Sequence, residues 1–353
     1  MAEYARDVLV IGAGIAGLAA ARALHRQGLD VAVLEKSRGF GGRAASRTVQ
    51  GTRIDHGAQF VTVRDARFRA QVDAWLEDDT LRHWTTGIPT WTRDGGWREP
   101  SSDAHPRYAS PGGMNALGKA LAADLDVNRE VLIAGVRADA GGWLAETSSG
   151  RSWRARQLIL SPPLPQTLAL LRAVDIPSAQ RTRLASVGYA PCHAVVAGFE
   201  GVTPPAWAAV RLPEDPDLAL IAHDTSKRDA SAAPVTVVLH GTPAFTRRTF
   251  EWPADEVVAA LLAAATPLLP WATTPAWTHH HRWRYARPER TLDGAALEVC
   301  DGLLVCGDAF GGGRVEGAYL SGLAAAQRIA DAASRDSDGT TTGHAGKRTT
   351  GLH

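Results

Sequence analysis

The sequence is poor in cysteine and lysine and has no long apolar run, and each lack removes a class of protein. Three cysteines, Cys192, Cys300 and Cys306, form no even disulfide framework and have no metal-ligand spacing, which predicts a reducing, cytoplasmic setting. Four lysines stand against thirty-four arginines, so a catalytic lysine has few places to be. No segment reaches the roughly 18 uninterrupted apolar residues of a membrane helix. The run Met1 to Asp7 leads straight into a strand pattern, so no signal peptide is expected. A net charge of +1 gives no basis for nucleic acid or anionic membrane as partner. What is present is ordinary for a soluble protein, 45% hydrophobic and 21% charged. A chain of 353 residues fills one large or two medium domains.

The first forty residues read strand, tight turn, helix, turn, strand. Val8 to Ile11 is a continuous apolar run, as in a parallel strand buried on both faces. Gly12-Ala13-Gly14-Ile15-Ala16-Gly17 is G-x-G-x-x-G, whose glycines serve the turn, the approach to a pyrophosphate and helix–strand packing. The helix N-terminus would face the phosphates. Asp30 to Leu34 forms the second strand. Glu35, eighteen residues after Gly17, stands where a carboxylate accepts from ribose hydroxyls, with Lys36 beside it. These features together predict a dinucleotide site. Gly41-Gly42 and Arg43 follow, where backbone N–H groups and a guanidinium form a second pyrophosphate clamp.

That pairing resembles the flavoprotein family of amine oxidases, phytoene desaturases and renalases, in which the segment binds FAD. "GFGGRAASR", "GAQFVTVRDARF", "YASPGGMNAL", "YAPCHAVVAGFE", "ALIAHDTSKRD", "RWRYARP" and "VCGDAFGGGRVEGAYLSG" look in particular like renalase and its bacterial relatives, over roughly residues 5–330. The resemblance implies an α/β fold. A Rossmann-type FAD-binding domain (1–65, 106–165 and 286–333) would interleave with an α+β substrate domain built on a mixed sheet (66–105 and 166–285). It places His56, Gly57, Ala58, Gln59 and Phe60 near the flavin ring, Val131 at the adenine through its backbone, and Ser161-Pro162 at a domain crossing beside the cofactor. Helices are expected over 66–84, 114–123 and 256–269. A hairpin is expected at 90–97, a three-strand insert from 130 to about 153, and strands at 192–199, 218–223 and 235–240. The tail from about Ser334 is polar and aperiodic and reads as disordered.

"VCGDAFGGGRVEGAYLSG" then reads as the redox half of one FAD site. Gly307 and Asp308 end a strand, with Asp308 placed to accept from a ribityl hydroxyl. Arg314, Val315, Glu316, Gly317 and Ala318 open a helix whose N–H groups face the flavin N1–C2=O edge. Glu316 is expected to turn away from the ring toward Arg314 or Arg43. FAD is expected to be non-covalent, because Cys306 lies in a core strand.

The family's amine oxidases present a lysine to flavin N5, but the matching strand here, "PCHAVVAGF", carries Cys192 and His193 instead. Lys227 reads as a surface residue. The resemblance therefore implies hydride transfer from 2- or 6-dihydro-NAD(P) to flavin N5, with O2 as reoxidant giving H2O2, and no catalytic side chain is assigned. Such a transfer needs no base, because an aromatic pyridinium forms. An amine or polyene oxidoreductase and a non-catalytic flavin-binding protein remain as alternatives. Trp283 is a candidate ring-stacking wall or a core tryptophan. His193 and His240 are core histidines or substrate-orienting donors, and Thr62 and Arg64 are further candidates. On a strand, His279 and His281 share a face but His280 does not, so the triplet is a poor metal site.

Overall fold

The computed structural model describes residues 6–102, 104–229 and 234–341, with side chains described to residue 332. Six strands form one sheet in the order Leu297–Cys300, Leu303–Val305, Gln157–Leu160, Val8–Ile11, Val31–Glu35 and Asp126–Arg129. Its neighbours are parallel except the first pair, which is antiparallel. Val8–Ile11 and Val31–Glu35 are buried at every position because both faces are covered. Val8, Val10 and Val33 pack under Leu18 and Leu24 of the first helix, Ile15–Arg26. Leu9, Ile11 and Leu34 point the other way, onto Val136 and Trp143 of a three-stranded insert and Leu164 of helix Leu164–Leu170. Each such side chain contributes about 1.5–3 kcal/mol by leaving water.

A second sheet of seven strands runs in the order Trp277–Pro288, Tyr189–Phe199, Val235–Gly241, Leu218–His223, Ala209–Arg211, Thr90–Thr92 and Gly96–Arg98. It is mixed, since 209–211 pairs parallel with 90–92 while the other pairs are antiparallel. Val195, Val237 and Leu239 face Val257 and Leu261 of helix Ala254–Ala265. Val196 and Val238 face the other way and meet Ile54, which belongs to the strand Thr52–Asp55. That contact seats the second sheet on the residues leading into the His56–Phe60 loop.

The fold is thus the expected α/β class with a Rossmann-like unit and a mixed sheet. Two local expectations fail. The helix expected over 66–84 spans Ala66–Glu77, and Arg82–Thr86 is a strand paired with Pro106–Ala109. Asp79 takes a left-handed backbone (φ 58) and reverses the chain, and the Leu81 N–H bonds back to the Trp75 carbonyl. The final helix, Val315–Thr341, runs on through the expected disordered start of the tail, with no proline to stop it. Residues 342–353 of that tail lie outside the described residues.

The final helix rides directly on the first. A Cβ at Gly322 would fall 2.1 Å from the Ala16 carbonyl oxygen. Gly322→Ala should therefore destabilise by about 1–3 kcal/mol through overpacking, despite a helix-propensity gain of about 1 kcal/mol. A melting temperature equal to or above wild type would count against this contact.

Candidate active site

The phosphate cradle is built from glycines with different tasks. Gly12 takes φ +103 at the turn, and its N–H bonds the Leu34 carbonyl at 2.8 Å. A Cβ at Gly17 would lie 2.1 Å from the Gly12 carbonyl oxygen, so packing demands glycine there. Gly14, the residue before the helix, has ordinary extended backbone (φ −75, ψ 172), and a Cβ there would meet nothing within 4 Å. Neither strain nor packing requires glycine at 14, and the space beside it is open. Ile15 and Ala16 are buried in the first helical turn. Ser161 Oγ braces the loop from behind, donating to the Ile11 and Gly12 carbonyls at 2.9 and 3.1 Å, and Pro162 lies next to it.

Glu35 accepts from the Ala13 N–H at 2.7 Å and the Ser37 N–H at 2.8 Å, so its carboxylate is held across the turn. Lys36 is exposed. The Val131 N–H bonds the Glu35 carbonyl at 2.9 Å, bringing Val131 to this end of the sheet. The Gly41-Gly42 turn folds onto the cradle, with Gly41 N–H donating to Ala13 O at 2.8 Å.

The second loop closes on the first. Asp308 follows the strand 303–305, and both Arg43 guanidinium nitrogens reach its carboxylate at 2.7 Å. The expected pyrophosphate clamp and ribityl acceptor are therefore partners in one bidentate pair. Arg43 also donates to the Ala286 carbonyl at 3.2 Å. Gly307 takes φ +145 and its N–H donates to Ser321 Oγ at 2.9 Å. Val315, Glu316, Gly317 and Ala318 form the first turn of the final helix as expected. Glu316 turns away from Arg43 and accepts from the Arg64 and Asp65 N–H groups at 2.6 and 2.8 Å, with Arg314 at 3.8 Å. The part Arg64 plays here is thus through its backbone; its side chain is exposed, and Thr62 is half-buried.

The wall opposite is aromatic. Trp283 donates its Nε1–H to the His56 carbonyl at 2.8 Å and stacks on the His56 ring at 5.7 Å and 11°. His281 lies 4.2 Å from Trp283 and 4.8 Å from His56, and His279 lies 5.9 Å from His56. His280 points to the other face, 2.9 Å from His193 Nδ1. His193 is fully buried there, with Nε2 3.3 Å from the Thr249 carbonyl, so it is a satisfied core histidine. His240 is different. It is in register with Ala194, which is in register with His281, so all three share the face that carries Trp283. His240 Nε2 is buried without a hydrogen-bond partner, as is His56 Nδ1. Among the described residues no group of histidines, cysteines and carboxylates could hold a metal ion.

Burial, before any neighbouring charge, holds these rings neutral: His56 is pushed down to about 3, and His240, His279 and His280 to about 4. Burial likewise pushes the Cys192 and Cys306 thiols up to about 12, so neither presents a reactive thiolate.

Lys227 overturns its sequence reading. It lies in a short 3-10 turn, Asp224–Lys227, and its side chain is fully buried. Its ammonium donates to Gln59 Oε1 at 2.7 Å, Asp224 Oδ1 at 3.0 Å and Asp55 Oδ2 at 3.2 Å. Arg228 pairs with the same two carboxylates at 2.7 and 3.1 Å. Asp55 further accepts from Ser46 Oγ at 2.5 Å and the Met114 N–H at 2.8 Å. Burial pushes the Asp55 carboxyl up, but Lys227, Arg228 and these donors outweigh it and hold it below the usual range. Two signals in the chain were available: Asp224, Lys227 and Arg228 at i, i+3 and i+4, and Asp55 ending an inward-facing strand.

Residues 10–74 match the family model of an NAD(P)-binding Rossmann-like domain, and residues 83–330 match that of flavin containing amine oxidoreductase. The chain belongs to the flavin containing amine oxidoreductase family. Putrescine oxidase of Kocuria rosea is 39% identical over 97 residues, 23% of this chain and 20% of that protein. The zeta-carotene-forming phytoene desaturase of Myxococcus xanthus is 46% identical over 76 residues, 21% of this chain and 14% of that protein. The match thus spans a fifth or less of these curated relatives. Solved structures of putrescine oxidase bound to putrescine (TM-score 0.71, 18% identity, 92% of this chain and 99% of that one) and of cyclohexylamine oxidase from Brevibacterium oxydans (0.72, 15%, 93% and 99%) share the fold. The family is one of flavin-dependent oxidoreductases, and the open cradle at Gly14 fits such a cofactor. No helix among the described residues is long and apolar enough to cross a membrane.

Gly14→Ala should weaken flavin binding about tenfold while leaving the cofactor-free melting temperature nearly unchanged, since the added Cβ meets no protein atom within 4 Å. Equal flavin affinity in a titration would refute that placement. The neutral histidines give a pH dependence with a definite sign. Their folded pKa values lie below about 6.5, the unfolded value, so the stability they contribute is full above it and is lost as pH falls toward 4. The melting temperature should drop across pH 6.5 to 4, with proton uptake on unfolding; a flat profile there would contradict buried neutral rings.

Proposed function

We propose that the chain is a renalase-like oxidase holding FAD non-covalently and acting on 2- or 6-dihydro-NAD(P), with O2 as electron acceptor. When bound, the flavin supplies the hydride acceptor. The protein's residues position, shield and balance charge. Gly12 to Gly17, Glu35 and the Gly41-Gly42 turn would hold the ADP half, and residues 307–318 the redox half. The burial and raised pKa of Cys306 support a non-covalent cofactor, and the interleaved domain division and the reducing compartment expected from the sequence go with this reading.

The observation that carries the substrate class is electrostatic. The buried carboxylates among the described residues, Glu35, Asp55, Asp224, Asp308 and Glu316, each already accept from a cation or a backbone N–H. None presents a free charge to a protonated amine. The wall itself consists of neutral rings, Trp283, His56 and His281, which suits a flat dihydropyridine. Losing a hydride makes that ring an aromatic cation, so no base is needed, and Cys192, at the place of the family's lysine, supplies none. Placement of the flat ring is then the protein's main contribution.

The names of the relatives support a second reading at least as well, oxidation of an amine or desaturation of a polyene. Anaerobic mixing of the FAD-loaded protein with 6-dihydro-NAD, ordinary 4-dihydro-NADH and a panel of amines separates the two. Bleaching of the flavin band near about 450 nm by the 6-dihydro isomer alone is the expected result. Bleaching only by an amine would establish the second reading, and no bleaching by any compound would leave a flavin-binding protein without turnover.

A further inference from the structure

We infer that Lys227 is a positioning residue for the redox site: from the turn after strand 218–223 it fixes the conformation of the His56–Gln59 loop through the Gln59 carboxamide. The inference rests on the reading above that this loop stands against the flavin ring.

The geometry forms a chain of contacts. Gln59 is buried, and its Nε2 donates to the Asp55 carbonyl at 2.8 Å and the Gly57 carbonyl at 3.0 Å. Its one acceptor, Oε1, takes the Lys227 ammonium at 2.7 Å. An ammonium can only donate, so Lys227 dictates which end of the amide is oxygen. The NH2 end is thereby forced toward the two loop carbonyls. With the amide reversed, oxygen would face two carbonyl oxygens and the loop would lose both bonds.

The loop so held touches both halves of the site. The Ala58 N–H donates to the Arg43 carbonyl at 2.9 Å, and the His56 N–H to the Ala45 carbonyl at 3.2 Å. A Cβ at Gly57 would fall 2.0 Å from the Arg43 oxygen, so the loop lies flush on the segment bearing the Arg43–Asp308 pair. On its other side the His56 carbonyl accepts from Trp283. A shift of residues 56–58 therefore moves the Trp283 wall relative to the Arg43 segment. Lys227 reaches this loop from the turn after strand 218–223, whose fixed position comes from the 235–241 strand beside it. Further contacts hold the ammonium itself: both carboxylates, and the face of Trp84 at 5.2 Å.

The test is a double-mutant cycle on the FAD-loaded full chain, with Lys227→Met, Gln59→Leu and the pair. Reduction is driven by whichever panel compound reduces wild type fastest, and the visible spectrum and circular dichroism of bound FAD are recorded without substrate. Each single variant should slow flavin reduction about 10- to 100-fold with KM within about threefold, and change the flavin circular dichroism. The pair should be no slower than the slower single variant, because both act through one contact. Multiplying effects, or a loss confined to thermal stability with kcat and the flavin spectrum unchanged, would overturn the inference. Should Lys227→Met not fold, Gln59→Leu carries the test, since it leaves the lysine both carboxylates; unchanged kcat and spectrum in that variant would overturn the inference equally. A wild type that binds no FAD would overturn the reading of the site and this inference with it. Reduction by an amine would overturn only the substrate assignment, and the cycle would then be run with that amine.

Discussion

The arrangement on which the rest depends is a buried set of four charges, Asp55 and Asp224 against Lys227 and Arg228. A lone ion in such a place costs several kcal/mol, and removing one partner of a buried pair costs about 3–5 kcal/mol. Here each carboxylate faces both cations, and the remaining lone pairs of Asp55 are met by Ser46 and the Met114 N–H. The set forms only when the 46–59 hairpin, the loop before helix 116–122 and the 224–228 turn arrive together. Those segments belong to the cofactor side and to the seven-stranded sheet. The charge requirement therefore adds direction to the nondirectional apolar contact of Ile54 with Val196 and Val238.

A second joint of the same kind lies at the opposite end of the site. Arg43 and Asp308 come from loops far apart in sequence, yet their bidentate geometry fixes the guanidinium plane as well as its distance. Around it the backbone is packed to contact. Gly17 lies on Gly12, Gly57 on Arg43, and Gly317 on Gly311, where a Cβ would come within 2.0 Å of a carbonyl oxygen. Gly14 alone of the G-x-G-x-x-G triplet is left with open space. Packed glycines are rigid ones, and they make the cradle a preformed shape that a ligand enters at little ordering cost.

These joints also explain what could be read from the sequence. The strand Val8–Ile11, the first helix and the opening turn of the final helix are local patterns, and they stand where the spacing put them; the partners of Asp308 and Glu316 lie 265 and 252 residues away and no local pattern announces them. Helix ends were less legible, because the turn at Asp79 depends on one left-handed residue that no periodicity announces. Lys227 was misread for a sharper reason. "HDTSKRD" is polar and looks exposed, and its burial follows only from Asp55 and Gln59, about 170 residues away. His193 and His240 sit in equally apolar strands, and only the register with His280 and His281 separates the satisfied core ring from the one with a free nitrogen on the Trp283 face.

The pairing of charges has a consequence for the electrostatics of the site. Inside low-dielectric protein, an unpaired carboxylate near a redox centre would raise the cost of adding electrons there, and an unpaired ammonium would lower it. By balancing Lys227 within its own cluster and turning Glu316 onto the backbone of residues 64 and 65, the fold removes both influences from the wall. What stands around His56 and Trp283 is His281, His279 and the Arg47 guanidinium, which lies 3.2 Å from His279 Nε2 and, after burial, helps hold these rings neutral. On the proposed function, a site so arranged would favour negative charge arriving on the acceptor.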